Sequence, residues 1–198
     1  MKKTFLSIAL VIGLIGVTTI ANAQNGRFSV GAELGLPLGG LGDAQSMGFG
    51  GSVRYEHPIG DNIGLTGTAG YLIFSGKDQT FDFGPLGSFT FEGPDLAMIP
   101  IQAGLKYYFS DNQDGFYGQA EVGVHISSYS ISGSSSSSTD LSYAPGIGYH
   151  LANIDIGLRY QLISYETTVV DPITFESVSG SSTEGYLGLR IAYVFGEQ

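Results

Sequence analysis

Ionisable side chains recur at alternate positions along this chain, and they are the residues with which it could do chemistry. Acids and bases are nearly balanced among them. They could therefore form buried ion pairs, line a path for small solutes or ions, or supply an acid–base site. The set comprises Glu33, Arg54, Glu56, Lys106, Glu121, His125, His150, Asp155, Arg159 and Arg190, with Glu184 as a further member.

His125 and His150 are the candidate general bases of a hydrolytic site, with Glu121 and either Ser127 or Ser142 as partners. A nucleophile, its base and an orienting acid must lie within hydrogen-bond reach, and no spacing in the sequence enforces this. A lipid-cleaving site would also have to face lipid, whereas the alternation places His125 and His150 on the inner face. We therefore predict that the protein is not an enzyme and has no catalytic, metal or cofactor-binding residues.

Alternating segments must position these side chains. Apolar residues alternate with small or polar residues at period 2, which is the pattern of β-strands. Each run has about 9–11 residues, the length that a tilted strand needs to cross the hydrocarbon layer of a membrane. The eight runs cover residues 28–36, 47–56, 63–73, 99–109, 116–126, 141–151, 154–162 and 187–195.

The two faces of these strands differ in chemistry. One face is uniformly apolar, while the other mixes Gly, Ser, Thr and Gln with the charges. A soluble ligand-carrying barrel of lipocalin type would place its apolar residues inside, and the second face would make a poor core. The pattern instead predicts an eight-stranded antiparallel up-and-down transmembrane β-barrel whose apolar face contacts lipid and whose narrow lumen is filled by the charges.

The N-terminus indicates export. Lys2 and Lys3 form a basic start, Phe5 to Ile20 carry no charge, and Ala21-Asn22-Ala23 is a small-x-small cleavage site. This predicts a signal peptide over residues 1–23 and a barrel domain over residues 24–198. Without Lys2 and Lys3 the chain keeps 6 basic and 18 acidic residues. That balance excludes nucleic acid as a partner, and the absence of cysteine excludes disulfides and thiolate chemistry.

The connections between runs alternate in length, with short turns predicted in the periplasm and long loops outside. The long connections are 37–46, roughly 75–95, 128–140 and 164–184, and the Ser-rich stretch 134–138 predicts a mobile loop. The long connection at roughly 75–95 predicts a hairpin that extends its flanking strands beyond the membrane. Its aromatic residues could stabilise the hairpin, grip the outer leaflet, cover the mouth or meet a partner; they are Phe81, Phe83, Phe89 and Phe91.

Three segments resemble strands of the outer-membrane β-barrel domain family, the OmpA/OmpX-like small barrels. They are residues 99–109, 143–149 and 188–195. The last is similar to the β-signal that the barrel assembly machinery reads, with Gly188, Ile191 and Tyr193 at matching places and Phe195 as its final aromatic. It departs from the family signal in that three residues follow Phe195. Pro100 and Pro145 depart from regular strands, because proline lacks a ladder donor, and we expect bulges or irregular pairing there. We expect no peptidoglycan-binding domain after the barrel, so the resemblance does not carry over the wall-tethering role of OmpA.

These observations predict a non-enzymatic, monomeric protein of the Gram-negative outer membrane with a structural or surface-contact role. Its partners would be outer-membrane lipids and, during biogenesis, the assembly machinery. Two alternatives stay open at this point: a narrow porin-like channel for small solutes or ions, and a lipid-modifying enzyme.

Overall fold

The computed structural model describes residues 26–91, 93–110, 113–131, 134–170 and 177–195. The predicted signal peptide and the three residues after Phe195 lie outside this description. One short helix, α1 (Gly39–Ala44), and a 3-10 turn (Gly84–Leu86) occur within it. The strands are β1 (Arg27–Leu38), β2 (Gln45–Pro58), β3 (Ile63–Gly76), β4 (Gln79–Asp82), β5 (Ser88–Phe91), β6 (Asp95–Tyr108), β7 (Gly115–Ile131), β8 (Ser134–Leu151), β9 (Ile154–Val170) and β10 (Ser177–Phe195).

Eight of the ten strands in the described ranges form one closed antiparallel barrel in the order β1-β10-β9-β8-β7-β6-β3-β2. The first strand closes the barrel because it pairs on one side with β2 and on the other with β10. Closure gives every strand two partners, so no edge is left with unpaired backbone groups. The predicted eight-stranded antiparallel up-and-down barrel is confirmed.

The side chains alternate between the two faces of the wall, as the period-2 pattern predicts. Along β2, Phe49 and Val53 point outward and are exposed, whereas Ser52 and Arg54 are buried inside. The same pattern on every barrel strand surrounds the barrel with an exposed apolar band. An apolar surface of this extent requires lipid rather than water.

The strands are longer than the sequence predicts, at 12 to 19 residues in the barrel. β7 and β8 stay paired as far as Ile131 and Ser134, and β9 and β10 as far as Val170 and Ser177. The predicted long loops at 128–140 and 164–184 are therefore mostly hairpin, and the prediction of a mobile loop at 134–138 is wrong. Above the membrane both faces of a hairpin are wet, so Ser and Thr can continue a strand without any hydrophobic alternation.

Pro100 and Pro145 interrupt the ladder without shifting it. Between β3 and β6 the pairing stops at Ala69–Ile101 and resumes at Leu72–Met98 in the same register. The β8–β9 ladder is interrupted in the same way at residues 144–145. Irregular pairing is thus present, but the expected bulges are not found at these two prolines. A register shift occurs instead in β2, between residues 45 and 48.

The connection between β3 and β6 contains the predicted hairpin, but as a separate two-stranded sheet of β4 and β5. It does not continue β3 and β6, which corrects the expectation of simple strand extensions. Its base is fixed to the barrel rim, where the Lys77 backbone N–H donates to the Ala44 carbonyl at 2.9 Å.

Among the residues described, no helix has the length and apolar character to cross a membrane.

Candidate functional site

The lumen holds the residues that could do chemistry, and its two ends differ. At the short-turn end the connections between strands are residues 59–62, 109–114 and 152–153. β1 begins and β10 ends at this end of the barrel. At the long-loop end lie α1 and the β4–β5 hairpin. Within the described chain, three sets of inward side chains occupy successive levels of the lumen between these ends.

The middle of the lumen is occupied by a continuous series of ion pairs. Glu33 pairs with two bases, at 3.2 Å from Arg159 Nη2 and 3.6 Å from Arg190 Nε. Arg190 also reaches Asp155, at 3.4 Å. Each of these side chains is almost completely buried, so the attraction acts in a medium of low dielectric. In order, the series is Arg159, Glu33, Arg190, Asp155, Lys106 and Glu56.

The same series continues toward the short-turn end. The Lys106 ammonium lies 2.6 Å from Asp155 Oδ2 and 3.2 Å from Glu56 Oε2. Two tyrosine hydroxyls also donate hydrogen bonds to these carboxylates: Tyr108 to Glu56 at 2.7 Å and Tyr117 to Asp155 at 3.0 Å. Hydrogen bonds of this kind satisfy the lone pairs that the ion pairs leave free, which buried charges require.

A second ion pair stands beside this series. Arg54 Nη2 lies 3.1 Å from Glu121 Oε1, and both side chains are buried. Thr68 bridges the pair, because its hydroxyl donates to Glu121 at 2.8 Å and accepts from Arg54 Nε at 2.9 Å. Arg54 is the one base paired with Glu121 among the described residues, whereas Glu33 and Asp155 each have two. We call these eight charged residues the charged layer.

A polar plug closes the short-turn end. Gln113, in the turn before β7, adopts a positive φ of 54° and is buried inside this end of the barrel. Its carbonyl accepts from Arg27 at 3.1 Å, its side-chain oxygen also accepts from Arg27, and its amide donates to the Gly60 carbonyl at 2.9 Å. His150 lies beside them, with Nδ1 3.2 Å from Arg27 Nη1. We call Arg27, Gln113 and His150 the turn plug.

Apolar side chains fill the lumen at the long-loop end. Phe74 and Tyr186 meet at its centre with ring centroids 5.3 Å apart. Leu41 of α1 packs on this cluster from the mouth and is buried. We call the set the apolar layer; its members are Leu41, Leu72, Phe74, Leu96, Met98, Ile163 and Tyr186.

Glycines on neighbouring strands make room for the Phe74 ring. A Cβ on Gly48 would lie 2.5 Å from Phe74 Cδ1, and one on Gly35 would lie 2.7 Å from Phe74 Cζ. These distances are shorter than real carbon contacts, so the ring occupies space that any larger residue would need. The inward glycines of β1 and β2 are therefore part of the packing of the apolar layer.

The apolar layer was not predicted from the sequence, and of the turn plug only His150 was assigned to the inner face. A signal for the former was present in Tyr71-Leu72-Ile73-Phe74, where alternation gives way to consecutive apolar residues and so predicts that both faces are apolar. Leu96 and Met98 extend the same signal on β6. No comparable signal marks Gln113, because its role depends on a turn that folds inward.

The ten ionisable residues predicted to face the lumen are distributed over all three levels. Eight of the ten ionisable residues belong to the charged layer and His150 belongs to the turn plug. His125 lies beside the apolar layer, with Nε2 3.4 Å from the Tyr186 hydroxyl. Glu184 is half-buried near α1, with its carboxylate beside Gly40.

The side chains considered for a hydrolytic site do not form a triad. Glu121 is bound to Arg54 and Thr68, while His125 contacts Tyr186. His125, Ser127 and Ser142 are fully buried on the inner face, away from the lipid. Within the described ranges, no three His, Cys, Asp or Glu side chains are grouped as a metal site would require.

The four residues predicted to form a β-signal lie on β10, which pairs with β1 to close the barrel. Ile191, Tyr193 and Phe195 point outward into the apolar band, and Phe195 pairs with Phe28 of β1. Gly188 faces inward and pairs with Gly35. The four residues thus follow the β1–β10 seam from the short-turn end upward.

A closed barrel with an apolar outer band and a charged lumen defines a small outer-membrane β-barrel. The chain belongs to the outer membrane protein beta-barrel domain family, which it matches over residues 7–195. This confirms the resemblance drawn from the three strand segments. Among curated proteins, none matches the chain significantly.

The chain is similar to several solved structures at low sequence identity. Ail, the attachment invasion locus protein of Yersinia pestis, is 15% identical, with 86% of this chain aligned to 97% of Ail at a TM-score of 0.50. OprG from Pseudomonas aeruginosa is 13% identical, with 88% aligned to 98% at a TM-score of 0.48. The N-terminal β-barrel domain of OprF, from the same organism, is 13% identical, with 85% aligned to 97% at a TM-score of 0.47.

Proposed function

We propose that this protein is a non-enzymatic, monomeric outer-membrane barrel whose filled lumen makes it a rigid anchor for the structures at its long-loop end. Its role is then structural or one of surface contact. The observation that carries the proposal is the series of ion pairs across the lumen, in which each buried acid of the described chain has a basic partner.

The charge distribution supports a filled lumen. Of the six basic residues that follow residue 23, five are buried in the barrel and Lys77 alone lies outside it. A water-filled pore would leave most of these charges hydrated, with little reason to pair. Here they are paired and hydrogen-bonded, the arrangement that low-dielectric surroundings demand. The turn plug and the apolar layer add a barrier at each end.

Planar-bilayer conductance tests this proposal directly. We expect no reproducible single-channel steps from the refolded protein. A positive control removes one large lumen side chain at each level, by Arg27→Ala, Arg190→Ala and Phe74→Ala together, and should introduce steps. The matched control truncates lipid-facing side chains by Phe49→Ala and Ile147→Ala and should stay silent.

Heat-modifiable gel migration selects the samples that have folded before any recording. Reproducible steps from the unmodified protein would refute the filled lumen and establish the narrow channel instead.

Mass spectrometry of outer-membrane lipids, with and without the protein, tests the absence of enzyme activity. A modified lipid that depends on the protein would contradict that part of the proposal.

The proposal includes a route to the membrane. The signal peptide would be cleaved after Ala23, and the assembly machinery would recognise the β10 seam through Gly188, Ile191, Tyr193 and Phe195. Two features support recognition of β10: these residues lie on the closing strand, and the side chains of Ile191, Tyr193 and Phe195 project outward where a partner can reach them before closure. Tyr193→Ser with Phe195→Ser should slow assembly in cells, whereas Tyr149→Ser on β8 should not.

A further inference from the structure

The β4–β5 hairpin separates apolar from polar side chains on its two faces. Phe81 lies opposite Phe89 in the ladder, and Phe91 has the same parity. The Phe83 N–H donates to the Gly87 carbonyl at 2.9 Å, which continues the same register by one pair and gives Phe83 that parity too. The other face carries Thr80 and Thr90, whose hydroxyls lie 2.9 Å apart, together with Asp82 and Ser88. The apolar face therefore has four phenylalanines and no charge, while the acid of the hairpin points the other way.

The phenylalanines pair with one another but remain exposed. Phe91 contacts Phe81 and Phe89 with ring centroids 5.8 and 5.0 Å apart. Even so, the four side chains are 49%, 61%, 60% and 57% exposed in chain order. The lipid-facing Phe49 and Ile147 of the barrel wall are 60% and 64% exposed. Cross-strand pairing thus leaves this face as open as the part of the wall that lipid covers.

The mouth of the barrel is covered by a different element. Leu41 of α1 packs onto the apolar layer, and none of the four phenylalanines belongs to that cluster among the described residues. The hairpin begins instead at the outer rim, where the Gly76 N–H donates to Asp95 Oδ1 at 3.2 Å and the Gly93 N–H donates to Asp78 Oδ1 at 3.3 Å. The last outward-facing apolar residue of β3 before this base is Ile73. The hairpin therefore begins just above the lipid-facing band, at the end of the strand that carries it.

The size of the face distinguishes lipid from a protein partner. Four phenylalanines that are about half exposed offer roughly 400 Å² of apolar surface. A stable protein interface takes about 800 Å² from each partner. A patch of a few hundred Å² with a polar reverse side is sufficient for insertion among acyl chains, where aromatic rings favour the region just below the headgroups.

We propose that the β4–β5 hairpin lies against the outer leaflet and inserts its four phenylalanines among the acyl chains beside the barrel. The hairpin is then a second lipid contact, outside the ring of eight strands, that fixes the long-loop end relative to the membrane surface. This inference concerns a surface outside the lumen and holds whether or not the barrel conducts.

The chain contains no tryptophan, so a single introduced tryptophan reports one position without background. The test compares Phe89→Trp on the apolar face with Thr90→Trp on the polar face, and Phe49→Trp in the wall serves as the lipid reference. Each variant is refolded into phosphatidylcholine vesicles that carry bromine on the acyl chains, and heat-modifiable migration verifies folding. Acrylamide in the buffer reports exposure to water.

The tryptophan at position 89 should lose most of its emission to brominated lipid, as at position 49, and should resist acrylamide. The tryptophan at position 90 should behave in the opposite way. Quenching of position 89 by acrylamide, with no effect of bromine, would overturn the proposal, because the face would then lie in water and only stabilise the hairpin. Protection from both quenchers would also overturn it, in favour of a protein surface such as a second copy. Phe83→Trp repeats the comparison if position 89 fails to fold.

Discussion

The charged layer and the apolar layer occupy successive levels of one lumen, yet they are specified in different ways. In the charged layer each side chain has named partners, and Glu33, Asp155 and Lys106 each contact two opposite charges. In the apolar layer the side chains fill space without directional contacts, around the Phe74 ring. Pairing selects one register of the strands, whereas packing selects volume.

This difference has a consequence for substitutions. An ion pair in a medium of low dielectric is damaged by the loss of one partner and tolerates the loss of both. A packed apolar side chain has no single partner whose removal could compensate for its loss. A single substitution should therefore destabilise either layer, but a second substitution at the partner should restore stability only in the charged layer.

The largest effect is expected at the pair with the fewest alternatives. Arg54→Met leaves the buried Glu121 carboxylate without a base and should lower the free energy of unfolding by about 3–5 kcal/mol. Arg190→Met should cost less, because Glu33 keeps Arg159 and Asp155 keeps Lys106. Reversible denaturant unfolding in lipid vesicles measures both.

Removal of both partners gives the sharper test of that prediction. Arg54→Met combined with Glu121→Leu should restore most of the lost stability, since no charge is then left unpaired. A double variant as unstable as the sum of its single variants would mean that shape, not charge, is what the pair contributes.

The next effect is expected in the apolar layer. Phe74→Ala should lower the free energy of unfolding by about 3 kcal/mol, through lost burial and the cavity left behind. Amide hydrogen exchange should quicken mainly at the long-loop ends of β2, β3 and β6. The matched control is Phe49→Ala on the outer face of the neighbouring strand. Equal losses in the two variants would show that the ring inside the lumen is not specifically packed.

The smallest effect concerns the turn plug. Gln113→Ala removes the side-chain bonds to Arg27 and to the Gly60 carbonyl and should cost about 1–2 kcal/mol. Gln113→Glu should keep the contact with Arg27 and recover part of the loss. The same unfolding assay measures both variants, and a neutral Gln113→Ala would show that the plug contributes no stability.

The sequence predicts one part of this lumen well and another poorly, for a physical reason. Strand parity assigns Glu33, Arg54 and Arg190 to the inside because small or polar neighbours share their face. It cannot assign Leu72 and Phe74, because an apolar residue that faces inward looks the same as one that faces lipid.

Two further features lay beyond strand parity. The pairing of particular acids with particular bases depends on barrel register, which the closing contacts between β1 and β10 determine. The length of the β7–β8 and β9–β10 hairpins was missed because polar strands in water have no hydrophobic period.

The arginines offer the most direct measurement of the central claim, that side chains fill the lumen. The chain has four arginines, at positions 27, 54, 159 and 190, and all four are buried in the barrel. Selective 15N labelling in lipid nanodiscs therefore gives guanidinium NMR signals from the lumen alone. We predict separate signals whose Nε protons exchange slowly with water for Arg54, Arg159 and Arg190, with Arg27 in the turn plug the fastest. Rapid exchange of all four would mean that water fills the barrel and would contradict the account.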